Sequence, residues 1–304
     1  MNGLRFLLSA IFGLAGTLAL VAGEPATRWT MFNVTPREGQ ADCHLLKFPD
    51  GRQVLIDPAA AWDAPGSALA ALQHRGVTEF DLVVISHFHW DHYGQLRSLL
   101  RAGVKVRRVV LNVPDQRVAD KERPWGCDFE DVQALLRELR EQGIPYATAT
   151  AGERLIESRA PDGTLATLDV ICAYDGINTP VGQTDVNDTS IVLRLTHGST
   201  RALFTGDLNH ALGAWLARSG LDLQADLLKA PHHGAEGTVP NEFYDRVEAK
   251  AVLVPSPASL WRSPRSMRTR NYFLERKIPA YVAGIDGTVT VTLTASGYSI
   301  EKER

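Results

Sequence analysis

The chain has 304 residues, of which 44% are hydrophobic and 22% charged, and its formal net charge is -3. This composition predicts a folded protein with a sizeable core and excludes a disordered chain. Because acidic and basic residues are mixed along most of the sequence, the charge does not indicate a protein that binds nucleic acid or acidic membranes. The densest basic patch contains Arg262, Arg265, Arg268 and Arg270.

Residues 1–23 have the pattern of a targeting signal. Arg5 precedes an uncharged apolar stretch at 6–21, and small residues suited to cleavage follow. We therefore expect an exported protein, periplasmic or secreted, with a single domain from residue 24 to residue 304. An uncleaved N-terminal anchor is the alternative, since the apolar stretch is only slightly short for a membrane span. It would be the only membrane contact.

The three cysteines, Cys43, Cys127 and Cys172, are widely spaced and contain no Cys-x-x-Cys pair. This spacing argues against both a disulfide framework and a structural zinc knuckle. We expect all three to be buried free thiols.

The apolar pattern predicts an early meander and then alternating strands and helices. Strands are predicted at 29–34, 43–48, 53–56, 81–85, 107–112, 168–173, 190–195, 202–205, 227–230, 251–254, 280–282, 288–293 and 298–300. Helices are predicted at 67–74, 95–102, 129–142, 208–217, 242–247 and 267–275, and a polar loop at 174–188. Two strand-rich halves indicate two packed sheets with helices outside and strand-end loops from both halves at one edge.

Four potential metal ligands lie within six residues, directly after the predicted strand at 81–85. They are His87, His89, Asp91 and His92. In a loop, two imidazoles can bind one cation while the carboxylate and the third imidazole bind another. Alternatively, the histidines could be ordinary hydrogen-bonded residues and Asp91 could cap the helix that begins nearby. Packing explains this cluster poorly, because imidazole is seldom chosen to fill apolar space.

Two later strand ends supply further candidates. Asp207 follows the predicted strand at 202–205, so its carboxylate could bridge two cations or could instead cap the next helix. His232 and His233 follow the strand at 227–230. Since adjacent side chains point in different directions, we expect one of them to be a ligand and the other to contact substrate or support a ligand.

The remaining histidines are expected to lie outside the site. They are His44, His74, His197 and His210. Among them, His210 is the one that could approach the site, because its predicted helix follows Asp207 directly.

Taken in order, these motifs resemble those of the metallo-β-lactamase superfamily. The matching segments are Leu55-Ile56-Asp57, His87 to His92, Gly206-Asp207 and His232-His233. The segments at 39–42, 187–193, 203–208 and 229–234 are most similar to the branch that contains the extracytoplasmic hydrolase domain of the DNA-uptake channel protein of competent bacteria. The resemblance implies a metallohydrolase of the α/β (α+β) class, folded as a four-layer αββα sandwich.

The resemblance also implies two Zn²⁺ ions, with another divalent metal as the alternative. The implied ligands are His87 and His89 for the first ion, Asp91, His92 and one of His232 and His233 for the second, and Asp207 as the bridge. Di-iron electron-transfer members tend to carry glutamate at the position of His89, so histidine there favours zinc and hydrolysis. Bridging water would have its pKa lowered toward about 7. Asp91 is the expected catalytic residue that orients this water or takes its proton.

The chain departs from the family pattern at three places. Residues 35–38 are inserted before Gly39, and Ala41 replaces a glycine of the branch signature. Ser263 stands where many relatives carry a histidine that could assist substrate binding or proton transfer.

The third departure concerns the first metal. True β-lactamases take a third histidine ligand from the loop before the strand at 190–195, and this chain has no histidine there. Asp185, Asn187 or Asp188 could replace it, or the metal could keep an extra water.

A phosphodiester is the substrate that the branch resemblance favours. Lys229 or the arginines from Arg262 to Arg270 could bind its phosphate oxygens, or could form a solvated basic surface. A lactone, thioester or β-lactam is the alternative substrate, and a non-catalytic scaffold of the same fold is a third interpretation. Nucleic acid is one candidate phosphodiester that the charge does not indicate, and the sequence does not fix the oligomeric state.

Overall fold

The computed structural model describes residues 26–34, 39–61, 67–235 and 237–304. The expected signal or anchor at 1–23 and the insertion at 35–38 lie outside these ranges. Within them, no helix combines the length and apolar character needed to cross a membrane.

Strands and helices alternate through most of the chain, as the sequence predicted. The strands are β1 Thr27–Met31, β2 His44–Lys47, β3 Gln53–Ile56, β4 Glu79–Phe80, β5 Leu82–Val84, β6 Lys105–Val106, β7 Val109–Leu111, β8 Tyr146–Thr148, β9 Arg154–Arg159, β10 Leu165–Cys172, β11 Val192–His197, β12 Thr200–Phe204, β13 Leu227–Lys229, β14 Ala251–Val254, β15 Ala280–Val282, β16 Val289–Leu293 and β17 Tyr298–Lys302. The helices are α1 Ala68–His74, α2 Trp90–Tyr93, α3 Leu96–Arg101, α4 Gln116–Glu122, α5 Phe129–Glu141, α6 His210–Arg218, α7 Asn241–Val247, α8 Ala258–Arg262, α9 Met267–Glu275 and α10 Ala283–Asp286. Short 3-10 helices cover Arg123–Trp125, Asn187–Thr189, Pro231–Gly234 and Pro264–Ser266.

The described strands form two large sheets and one small pair. The first sheet has the order β17-β16-β1-β2-β3-β5-β7-β8, and the second has the order β15-β14-β13-β12-β11-β10-β9. Strands β4 and β6 pair separately. The two large sheets correspond to the two strand-rich halves expected from the sequence, except that β1 pairs with β16 from the end of the chain.

A continuous apolar layer separates the two sheets. In β3, Val54 and Ile56 join the cluster between the sheets, while Leu55 joins the cluster under α1, α3 and α5. Side chains of a strand alternate between faces, so a strand that is covered on both sides is apolar throughout. Helices α6, α7 and α9 cover the second sheet in the same way. The expected four-layer αββα sandwich is therefore confirmed.

The sequence predicted strongly periodic elements better than polar ones. Helix α5 begins at the capping residue Asp128 and buries Val132, Leu135 and Leu139 on one face. By contrast, α4, β8 and β9 were missed. Helix α4 buries only Val118 and Ala119. In the outermost strand, β9, exposed charged residues interrupt the buried ones, so neither element has a pronounced apolar pattern.

Four strand ends place the functional loops at one edge. Strand β3 runs parallel to β5, and β12 runs parallel to β13. The carboxyl ends of parallel strands meet at the same edge of a sheet, and such edges commonly bind ligands. The segments beginning at Asp57, Ser86, Thr205 and Ala230 therefore leave the sheets side by side.

Candidate metal centre

The structure gathers the predicted site residues around one cleft. His87, His89, Asp91, His92, Asp207 and His233 are all more than 90% buried. His232 is partly exposed and lines the cleft together with His89, Asp91 and Asp207.

Asp57 holds the beginning of the histidine loop. Its Oδ1 accepts a hydrogen bond from the Ser86 amide at 2.7 Å, and its Oδ2 accepts one from the Ser86 hydroxyl at 2.7 Å. The same Oδ2 lies 2.9 Å from Nδ1 of His92. Because an ionised carboxylate can only accept, Nδ1 of His92 carries the proton and Nε2 faces the site.

His87 and His89 form one half of the cluster. His87 Nε2 lies 3.3 Å from His89 Nδ1. Two nitrogen ligands about 2.0–2.1 Å from a tetrahedral zinc ion stand about 3.4 Å apart, so this separation fits a shared cation. Burial and the neighbouring His92 hold the pKa of His87 well below its ordinary value, which favours the neutral, ligating imidazole. Glu122 Oε2 lies 3.6 Å behind His89, near Nε2.

The other half combines two imidazoles with two carboxylates. Asp207 Oδ2 lies 3.3 Å from His92 Nε2 and 3.1 Å from His233 Nε2. Asp91 Oδ2 lies 3.3 Å from His233 Nε2, and Asp91 Oδ1 lies 3.9 Å from His92 Nε2. Burial lowers the pKa of His92, but Asp207 and Asp57 outweigh it and hold that pKa well above its ordinary value.

A buried lysine lies behind this second half. Lys229 Nζ contacts Asp42 Oδ2 at 2.6 Å and Asp207 Oδ1 at 3.1 Å, and it donates to the Gly206 carbonyl at 2.8 Å. Burial alone would lower its pKa, but the two carboxylates raise that pKa above its ordinary value. The expectation that Lys229 binds phosphate or lies on a solvated surface is wrong, because its side chain is only 1% exposed and already paired.

Two consecutive histidines adopt a strained backbone. His232 and His233 have φ values of 48° and 52°, in the left-handed region, and Gly234 follows with 73°. Left-handed conformations cost a residue with a side chain about 1–2 kcal/mol, and such strain is typical of functional sites. The turn directs His233 Nδ1 to the Pro255 carbonyl at 2.9 Å, so Nε2 faces the carboxylates.

The helix-capping alternatives do not describe the two aspartates. Asp91 lies inside the single turn of α2, whose N-cap position is His89. Asn209, not Asp207, occupies the N-cap position of α6.

The three residues considered for the missing third histidine have different surroundings. Asp188 Oδ1 accepts from the Asn209 amide at 2.8 Å, and burial raises its pKa to about 7. Asp185 Oδ1 accepts from the Asn209 side chain and from the Asn187 amide. Asn187 is 8% exposed and lines the cleft, and its Oδ1 makes no hydrogen bond. Asn187 is therefore the candidate with a ligand atom still to satisfy.

The cleft has a volume of about 600 Å³. Its lining residues are Gly39, Gln40, His89, Trp90, Asp91, Glu122, Trp125, Asp185, Asn187, Asp207, Asn209, His232, Leu260 and Arg265. Of the four arginines in the basic patch, only Arg265 belongs to this lining, while Arg268 and Arg270 donate to backbone carbonyls. Ser263 donates to the Leu260 carbonyl and accepts from the Arg265 amide, so it stabilises a turn.

The histidines expected to lie outside the site have other environments. His74 ends α1, His197 is bonded to Thr27, and His210 is exposed at the start of α6. His44 is closer than expected, since its Nε2 lies 3.6 Å from Asp42 Oδ2. All three cysteines are buried free thiols, as expected.

The donor atoms fit divalent cations. Among the residues that the structure describes, two sets of three side chains offer ligand atoms within 4.8 Å of one another: His87, His92 and Asp207, and Asp42, His92 and His233. The buried Nε2 atoms of His92 and His233 make no hydrogen bond, although carboxylate oxygens lie within 3.3 Å of each. A cation between nitrogen and oxygen would satisfy both, since buried polar groups need partners.

Comparison with known proteins agrees with this geometry. Residues 36–251 match the family model described as the metallo-beta-lactamase superfamily. The chain is 23% identical over 241 residues to ComE operon protein 3 of Bacillus subtilis, covering 71% of this chain and 27% of that protein. It is 24% identical over 286 residues to protein YcaI of Escherichia coli, covering 91% and 31%. The chain thus spans less than a third of the length of these curated relatives.

Two solved structures share the fold at low sequence identity. The metallo-beta-lactamase fold protein YhfI of Bacillus subtilis has a TM-score of 0.52 and 15% identity, over 85% of this chain and 96% of that one. The diiron beta-hydroxylase CmlA of Streptomyces venezuelae has a TM-score of 0.53 and 14% identity, over 89% and 54%. These likenesses show the fold.

Proposed function

This chain belongs to the metallo-beta-lactamase superfamily, and we propose that it is an exported hydrolase that uses two zinc ions to cleave a phosphodiester. The observation that carries the proposal is the buried group of imidazoles and carboxylates at the base of an open cleft. Members of this superfamily are metalloenzymes, so the cluster has a chemical use beyond packing.

In this proposal the donors are divided between two cations. The proposed ligands are His87 and His89 for the first, His92, His233 and Asp91 for the second, and Asp207 for both. Nitrogen donors mixed with carboxylates suit zinc. Two such cations would lower the pKa of a shared water and polarise the bond under attack.

The residues of the chain itself supply orientation and proton transfer. Asp91 lines the cleft while its carboxylate contacts His233, so it is placed to orient the attacking water and to accept its proton. His232 lines the same cleft, and burial lowers its pKa, so a neutral imidazole faces the substrate. Lys229 and Asp57 hold Asp207 and His92 in place through the contacts described above.

Two features support a phosphodiester as the substrate. The first is the resemblance of the segments at 39–42, 187–193, 203–208 and 229–234 to the branch that contains the extracytoplasmic hydrolase domain of the DNA-uptake channel protein. The second is Arg265, whose planar guanidinium at the cleft suits phosphate oxygens. Export rests on the pattern of residues 1–23, and N-terminal sequencing of protein secreted by an expressing cell would detect its cleavage.

The decisive experiment measures metals and turnover on the same purified protein. We expect about two zinc ions per chain and chelator-sensitive hydrolysis of bis-p-nitrophenyl phosphate. Single-stranded DNA, a lactone and nitrocefin are run in parallel. Turnover of nitrocefin or the lactone without the diester would overturn the proposed substrate, and inactivity with metals bound would favour a scaffold.

A further inference from the structure

Among the described residues, the two exposed tryptophans both lie at the cleft. Trp125 is 74% exposed and Trp90 is 42% exposed, and each lines the cleft that contains Asp91 and Asp207. A scattered exposed apolar side chain needs no explanation, but two large aromatic rings at the mouth of a buried polar cluster indicate a ligand contact.

The local fold presents these rings on adjoining segments. The Trp90 amide donates to the Gly126 carbonyl at 3.0 Å, and the Trp90 ring lies against Gly126. A Cβ at Gly126 would overlap that ring, and its φ of 104° also favours glycine. Trp125 directly precedes Gly126, at the end of a 3-10 helix that follows α4. The segment after α4 therefore brings Trp125 to the same cleft that Trp90 lines.

An arginine lines the same space. Arg265 follows α8, and its amide donates a hydrogen bond to Ser263 Oγ at 3.2 Å, which fixes the turn that carries it. Leu260 adds an apolar surface to the lining. The cleft therefore combines indole faces, a guanidinium and the metal-binding donors within one volume.

We propose that this cleft selects phosphodiesters whose non-leaving group is flat and aromatic, and that this group stacks on Trp125 and Trp90 while Arg265 binds the phosphate. The inference rests on the proposed phosphodiesterase function and names the feature of the substrate that it requires. Stacking on an indole strengthens binding by about 5- to 100-fold relative to a substrate without the ring. The guanidinium adds affinity for any phosphate diester, with or without a ring.

The test compares two substrates with the same leaving group. Bis-p-nitrophenyl phosphate and methyl p-nitrophenyl phosphate both release p-nitrophenolate, but only the first retains an aryl group on phosphorus. We expect Trp125→Ala to raise KM for the bis-aryl diester by about 5- to 100-fold and to leave KM for the methyl diester unchanged. Trp125→Phe should restore most of the difference. The matched control is Leu274→Ala, since Leu274 is also 74% exposed but lies on α9 outside the cleft lining.

A binding measurement separates the two proposals. Calorimetry of the metal-loaded protein with diphenyl phosphate and dimethyl phosphate should show aryl-selective binding that Trp125→Ala removes. Arg265→Ala should weaken both ligands. If diesters are not hydrolysed but this selectivity is present, the phosphodiesterase proposal fails and the aromatic subsite stands. If diesters are hydrolysed with equal KM in Trp125→Ala and the parent protein, the subsite is refuted. Failure of diphenyl phosphate to bind the parent protein also refutes it.

Discussion

The two sides of the proposed metal centre, His87 with His89 on the first and His92 with His233 on the second, differ in how firmly the surrounding residues hold them. On the second side, His92 and His233 are fully buried, and Asp57 and the Pro255 carbonyl fix their rings. On the first side, His89 has only a distant carboxylate behind it, and no third histidine is present. In the proposed centre, the second metal position is therefore preformed, whereas the first is short of ligands. We therefore expect one cation to bind more tightly than the other.

The largest expected effect comes from removing the residue shared by both sides. Asp207→Ala should lower the metal content and reduce hydrolysis by more than about 100-fold, because Asp207 contacts His92 and His233 and also offers a ligand atom within 4.8 Å of one from His87. Elemental analysis and turnover of bis-p-nitrophenyl phosphate provide the measurements. Asp222→Ala is the control, since Asp222 pairs with Arg194 and Arg201 on the surface. Full retention of metal and activity in Asp207→Ala would refute its role as the bridge.

The next effect distinguishes the two neighbouring histidines on the second side. His233→Ala should lose one cation per chain, because His233 Nε2 lies 3.3 Å from Asp91 Oδ2 and 3.1 Å from Asp207 Oδ2. His232→Ala should keep both cations while turnover falls by about 10- to 100-fold, as expected for a residue that meets the substrate. Metal counting of the two variants decides between them, and loss of a cation from His232→Ala would reverse the assignment.

The contribution of the buried Lys229 charge to stability can be tested in metal-free protein. In chelator-treated protein, Lys229→Met should lower the free energy of unfolding by about 3–5 kcal/mol, because Asp42 and Asp207 would stay buried without the lysine ammonium that pairs with them. Urea denaturation measures this. The control is Lys250→Met, whose partner Asp226 lies near the surface, and which should have no measurable effect. Equal midpoints for the two variants would show that Lys229 does not stabilise the cluster.

The smallest effect sharpens the comparison from the first side. Asn187→Ala should weaken only the looser cation, by about tenfold, because its unbonded amide oxygen is the available replacement for the missing histidine. Asn187→His should strengthen that cation instead. Titration with a competing chelator measures both affinities, and exposed Asn178→Ala serves as the control. An Asn187→Ala variant with two unchanged affinities would leave water as the third ligand.

The sequence predicted the parts of this protein that carry a local pattern. His87, His89, Asp91 and His92 stand out because four donors follow one strand within six residues, and α5 stands out because its apolar residues repeat. Contacts made by tertiary approach leave no such pattern.

Contacts between residues far apart in sequence are the part that the sequence could not predict. Lys229 looked like a phosphate-binding residue until the fold placed Asp42 against it. Glu122 and Trp125 reach the cleft from α4 and the turn after it, a region whose helix was itself missed because it buries little apolar surface. The packing of the two sheets decides which of these distant residues meet, and a single sequence does not reveal that packing.

Gly206 lies where the two sheets meet. A Cβ there would overlap Ser190 Oγ and approach Ser86 to 3.2 Å, while the Ile191 amide donates to the Ser86 carbonyl at 2.9 Å across the same seam. The donors on either side, such as His92 and Asp207, are more than 100 residues apart along the chain. Any cation held between them therefore closes a long loop and cross-links the two sheets, much as a disulfide would. Saturating the centre with metal should accordingly raise the midpoint of unfolding and make the two sheets unfold in a single transition.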